Sequence, residues 1–156
     1  MARLRLIRRL LGRFRDISGR RRLLLAEAVL WLWLARLALI FISFPTIARR
    51  LGTFVPPSDE RAQLARTRTT QAELAEEIGW AVTRSARYLP FKAVCLPQAM
   101  AARVMLKRRG ITSVMHFGAA RGKEKPLDAH AWLDAAGVEV TGYPVAKDFA
   151  EIGCFV

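Results

Sequence analysis

At Lys107-Arg108-Arg109-Gly110 the hydrophobic period of the chain changes, and that switch limits the folds open to it. Before it, apolar residues recur at helical spacing, as in Leu74, Ile78, Ala81 and Val82. After it, Ile111 to Ala119, Ala129 to Asp134 and Val138 to Thr141 read as strands. Arg121-Gly122-Lys123-Glu124-Lys125-Pro126 reads as the polar loop between the first two, and Ala135-Ala136-Gly137 as the turn into the third. Helices followed by a small antiparallel sheet is an α+β order. With 156 residues, 53% of them hydrophobic, the chain can build one real core and has no room for a second catalytic domain. No internal repeat or low-complexity tract breaks this order.

The net charge of +13 is concentrated at the start, where Arg3, Arg5, Arg8, Arg9, Arg13, Arg15, Arg20, Arg21 and Arg22 fall. Leu4, Leu6, Ile7, Leu10, Leu11 and Phe14 interleave with them, which suits a basic amphipathic helix on an anionic membrane surface or an acidic partner. A merely solvated face is the bland alternative. Nucleic acid is disfavoured because no nucleic-acid module is recognisable. Leu23 to Phe44 follows, bracketed by Ser18 as cap and Pro45 as stop. Glu27 and Arg36 interrupt it, so its longest uncharged run, Ala28 to Ala35, falls short of the ~18 to 20 residues of a span. A buried or interfacial helix is expected ahead of a spanning one.

Pro56-Pro57, Ser58 and mixed charge mark Phe54 to Thr69 as a linker. Thr70-Gln71-Ala72-Glu73 has the pattern of a capping box, opening a helix that Pro90 closes, with Trp80 and Tyr88 expected in the core.

Cys95 stands at the start of the next helix, Pro97 suits its first turn, and Gly110 stops it. A cysteine there meets the positive end of the helix dipole, where unpaired N–H groups favour thiolate over thiol and can receive an oxyanion. Gln98, one turn in, is a further candidate oxyanion donor. The ordinary alternative for such a cysteine is a small buried hydrophobe. Cys154 is expected to be packing or bystander. Two cysteines without paired spacing argue against a disulfide framework and for a reducing cytosol. Together with two scattered histidines they make no metal-ligand spacing, so neither metal nor cofactor is expected.

Ser85 to Phe91, Cys95-Leu96-Pro97-Gln98-Ala99, Met105 to Ile111 and Ala129-His130-Ala131-Trp132-Leu133, in that order, resemble the B2-type maturation protease of bacterial lasso-peptide gene clusters. The resemblance runs through nearly the whole chain and implies a transglutaminase-like, papain-related fold. It implies Cys95 as nucleophile and His130 as base, in preference to His116. The family supplies an Asp about a dozen residues after that His; here the region reads Thr141-Gly142-Tyr143-Pro144. Thr141, a backbone carbonyl, Asp128, Glu139 and Asp148 remain open as the orienting group. Trp132 either walls the site or fills core.

The organisation expected is a basic and hydrophobic helical region at 1–53, a linker at 54–69 and a transglutaminase-like core at 70–156. The function implied is a cysteine peptidase that removes the leader of a lasso-peptide precursor. It would depend on a small separate leader-recognition (B1/RRE-type) protein and feed a macrocyclising enzyme. The location implied is cytoplasmic or peripheral at the inner face of the membrane. An acyl transferase or deamidase with the same Cys–His chemistry, or a non-enzymatic membrane-surface adaptor, are the alternatives.

Overall fold

Ser18 caps the first helix, its Oγ accepting from the Arg21 N–H. The computed structural model describes residues 18–122 and 126–156; the arginines through Arg15, and Lys123 to Lys125 of the expected polar loop, lie outside the described residues. Helix α1 (Gly19–Phe41) ends where Ile42 turns extended. Pro45 then sits in the first turn of α2 (Phe44–Leu51), so it starts a helix where the sequence suggested a stop. The expected capping box is replaced by Thr69, whose Oγ1 accepts from the Gln71 N–H at 3.2 Å, and α3 runs over Ala72–Ala86. Tyr88, two residues beyond it, is exposed rather than core. Trp80 stays partly buried under the guanidinium groups of Arg21 and Arg84. Helix α4 (Cys95–Lys107) follows.

Strands β2 (Ser113–Arg121), β3 (Leu127–Ala135) and β4 (Val138–Thr141) form the expected antiparallel run. Two more join them. The 54–69 segment, read as a linker, supplies β1 (Phe54–Val55) and a short 3-10 turn at Glu60–Gln63, and the C-terminus supplies β5 (Ala150–Phe155). The sheet order is β1-β5-β2-β3-β4, and the architecture is α+β.

Because strand side chains alternate, the two faces of the sheet have different coverings. Met115, Leu133, Ala135 and Phe155 lie under the helices, in one core with Leu24, Ala28 and Leu32 of α1, Ile78 and Val82 of α3 and Ala102, Met105 and Leu106 of α4. The N-terminal helix is therefore part of the same core as the rest. Gly79 lets α3 approach β4 closely, since a Cβ there would stand 2.4 Å from the Val140 carbonyl oxygen. On the opposite face Val114 and Cys154 pack with Val55, Ala62 and Ala65.

Helix α1 is long and apolar enough to cross a membrane by length and composition. Its Leu24, Leu25, Ala28, Leu32 and Ala35 are instead buried in the protein. Glu27 is gripped by Arg109, with Nη2–Oε2 at 2.6 Å and Nη1–Oε1 at 3.2 Å, and by Arg108. Its other face leaves Leu23, Leu30, Trp33, Leu37, Ile40 and Phe41 exposed.

Candidate active site

Cys95 is the first residue of α4 and is half-buried. Val94 caps that helix without a side-chain hydrogen bond, and Gln98 N–H is the first to close the turn, onto Val94 O at 3.3 Å. Pro97 has no N–H, so the first turn presents the amides of Cys95 and Leu96 next to the sulfur. Gln98 itself donates from Nε2 to the Ala93 carbonyl at 2.6 Å, pinning the loop that leads into the helix. In this arrangement its amide nitrogen is occupied by the backbone.

His130 lies on β3 opposite Gly118 of β2. Its Nε2 is 2.6 Å from the carbonyl oxygen of Gly142, just past the end of β4. A carbonyl only accepts, so Nε2 carries a hydrogen, and in the neutral imidazole the lone pair is then on Nδ1. The ring is stacked on Trp132 at 6.0 Å and tilted against Phe149 at 5.4 Å. Trp132 is buried and also stacks on His116, so it sits between the two histidines and serves as both core and wall.

None of the other candidates for an orienting group is hydrogen-bonded to His130 among the described residues. Asp128, Glu139 and Asp148 are exposed. Thr141 is buried opposite Leu133, and its Oγ1 has no hydrogen-bond partner among the described residues. The hydrogen-bond partner found at His130 is the Gly142 backbone carbonyl. Gly142 has φ +85°, and a Cβ there would meet Ala131 O at 2.5 Å, so only glycine fits as drawn.

Among the described residues no hydrogen bond joins Cys95 to His130. Strand alternation puts His130 in one row with Trp132 and Asp134, while α4 packs on the row of Leu133 and Ala135. Strand β4 pairs β3 only at Leu133, Asp134 and Ala135, so His130 lies beyond the end of β4.

His116 is placed very differently. It is 1% exposed, with Nδ1 2.6 Å from Glu151 Oε1 and Nε2 3.3 Å from Asp134 Oδ2. The second contact has ion-pair distance but not hydrogen-bond geometry, so Nε2 is left without a hydrogen-bond partner among the described residues. Burial alone would lower the pKa of this imidazole, but the contacts and charges of Asp134 and Glu151 outweigh it and leave it raised. Tyr143 donates from its hydroxyl to Asp134, and burial, then that carboxylate, pushes its phenol up. Burial first, then the charges of Glu151 and Asp59, pushes the Cys154 thiol up as well. No strand was expected after Thr141, and simple alternation along 150–155 would put Glu151 and Cys154 on opposite faces, so the sequence carried no signal for this group.

Residues 38–154 match the transglutaminase-like superfamily core. The chain belongs to the transglutaminase-like superfamily. The match begins inside α1 and runs through Cys95, His130 and Gly142 to β5. No curated protein and no solved structure matches the chain significantly. The superfamily is generally cysteine-protease-like, which makes thiol–imidazole chemistry possible for a chain of this kind.

Proposed function

We propose that this chain is a cysteine peptidase that removes the leader from a lasso-peptide precursor. The observation that supports it most is Cys95 on the first residue of α4, half-buried, at a helix start that no side chain caps among the described residues, in a chain of the transglutaminase-like superfamily. His130, with its hydrogen held on Nε2 by Gly142, has Nδ1 available as base. Catalytic hydrogen bonds often tighten only when substrate is bound, and this reading requires the imidazole to close on the sulfur in that complex.

In the reaction, the Cys95 sulfur gives its proton to His130 Nδ1 and attacks the carbonyl carbon at the leader–core junction. The amides of Cys95 and Leu96 receive the oxyanion. As the C–N bond breaks, the imidazolium returns the proton to the departing core amine, leaving the leader as a thioester on Cys95. Water, deprotonated by the same imidazole, hydrolyses the thioester. A separate leader-recognition protein would present the precursor, and the freed core would pass to a macrocyclising enzyme in the cytoplasm or at the inner face of the membrane.

The test is mass spectrometry of precursor incubated with the purified protein and the leader-recognition partner. Two fragments split at one junction are expected with the wild type and none with Cys95→Ala. Cleavage by folded Cys95→Ala, or cleavage that depends on His116 and survives His130→Ala, overturns the assignment. Transfer of the acyl group to an added amine without hydrolysis would instead make the chain an acyl transferase.

A further inference from the structure

The face of the sheet turned away from the helices gathers three metal-binding side chains that lie far apart in the sequence. His116 comes from the middle of β2, and Glu151 and Cys154 from the two ends of β5. The register pairs His116 directly with Cys154, and the shift between Phe117 and Gly118 brings Glu151 opposite Gly118. One ligand atom from each, an imidazole nitrogen, a carboxylate oxygen and the thiol sulfur, all lie within 4.8 Å of one another. His116 and Cys154 are fully enclosed, at 1% and 0% exposure, while the Glu151 side chain reaches solvent.

We propose that His116, Glu151 and Cys154 form a site for a thiophilic divalent transition metal, with zinc as the fitting ion. The donor set decides the class of ion. A thiolate and an imidazole favour zinc and its softer neighbours over magnesium or calcium, which want oxygen alone. Zinc bonds of about 2.0 to 2.3 Å hold tetrahedral donor atoms about 3.3 to 3.8 Å apart. The three donors therefore need shifts of no more than about 1 Å, with Glu151 moving outward from its 2.6 Å contact to Nδ1.

A second arrangement supports the assignment. Asp134 stands 3.3 Å from the other ring nitrogen of His116, and Tyr143 holds Asp134 in turn. A carboxylate hydrogen-bonded behind a ligating histidine fixes the ring and strengthens its donor nitrogen; Asp134 is within reach for this, and the hydrogen bond forms once the ring turns slightly toward it. Trp132, stacked on the imidazole at 5.5 Å with an interplanar angle of 8°, closes one side against water. Three protein donors leave the fourth position to water, reached from the Glu151 side. Loading displaces the proton of the Cys154 thiol and the one held between His116 and Glu151. The bound ion would tie β5 to β2, next to the strand that carries His130.

The scatter of these residues in sequence argued against a metal site; strand pairing removes that objection. The site is independent of Cys95, so its test does not depend on peptidase activity. The full chain is stripped with chelator, dialysed against zinc, and its metal content measured; a second sample is loaded with cobalt(II) and its absorption spectrum recorded. About one zinc per chain is expected, with a thiolate-to-cobalt charge-transfer band and a raised melting temperature. Cys154→Ser should lose the band, and Cys154→Ser and His116→Gln should lose the zinc, whereas Cys95→Ala should keep both. Failure of the folded wild type to retain zinc overturns the proposal without any variant. So does zinc that survives in Cys154→Ser or disappears in Cys95→Ala.

Discussion

His130 donates from Nε2 to the main-chain oxygen of Gly142 across 2.6 Å, a partner that no side-chain substitution removes but backbone strain displaces. Gly142→Ala puts a Cβ against Ala131 O and the Trp132 backbone at a positive φ. It is expected to cost about 1 to 3 kcal/mol of stability. It should also lower kcat for precursor cleavage more than it raises KM, because the imidazole loses its orientation. Thermal melts with steady-state kinetics check both; unchanged kcat would mean the carbonyl does not position His130.

The two cysteines should separate cleanly by reactivity. Cys95 is half-buried at a helix start, and Cys154 is fully buried with its thiol pushed up. Brief treatment of the native protein with iodoacetamide should alkylate Cys95 and spare Cys154, as read by peptide mass spectrometry. Cys95→Ala and His130→Ala should each lower precursor cleavage by on the order of 10³-fold or more while keeping the circular dichroism of the wild type.

Docking of α1 should depend on acid. The Arg109 hydrogen bonds, then the Arg109 and Arg108 charges, hold Glu27 below its ordinary range despite partial burial. A lowered folded pKa contributes stability that is complete above the unfolded value of about 4.3 and disappears as pH falls through the folded value. The melting temperature should therefore drop on acidification below about pH 4. Glu27→Gln should cost about 1 kcal/mol at neutral pH after solvent screening and flatten that part of the pH profile.

The exposed row Leu23, Leu30, Trp33, Leu37, Ile40 and Phe41 on α1, following an arginine-rich segment, should bring the protein to anionic vesicles. Each arginine near such a surface contributes up to about 1 kcal/mol, weakened by salt. Replacing Arg3, Arg5, Arg8 and Arg9 by Gln should reduce co-sedimentation with anionic vesicles most at low salt. Binding to neutral vesicles to the same degree, insensitive to salt and to these changes, would assign the attachment to apolar insertion of α1; no binding would leave the arginines as a solvated face.

Local chemistry decided what the sequence determined by itself. Pro97 and Gly110 bound the helix that begins at Cys95, and the alternating residues after Gly110 give β2, β3 and β4 nearly at their observed limits. The α+β order follows from these signals, each carried by neighbours within a turn or a strand. What only the tertiary structure decided depends on residues far apart. The place of α1 in the core rests on Leu24, Ala28 and Leu32 packing with residues of α3 and α4, with Glu27 meeting Arg109 beside them, and the conversion of the 54–69 segment from linker to sheet edge rests on Phe54 pairing with Phe155. Gly142 became the partner of His130 because a carbonyl has no residue-type signature in a sequence. His116 met Glu151 and Cys154 because a one-residue shift in the β2–β5 register turned two separated carboxyl and thiol groups onto one face, and register is a property of the pair of strands rather than of either one.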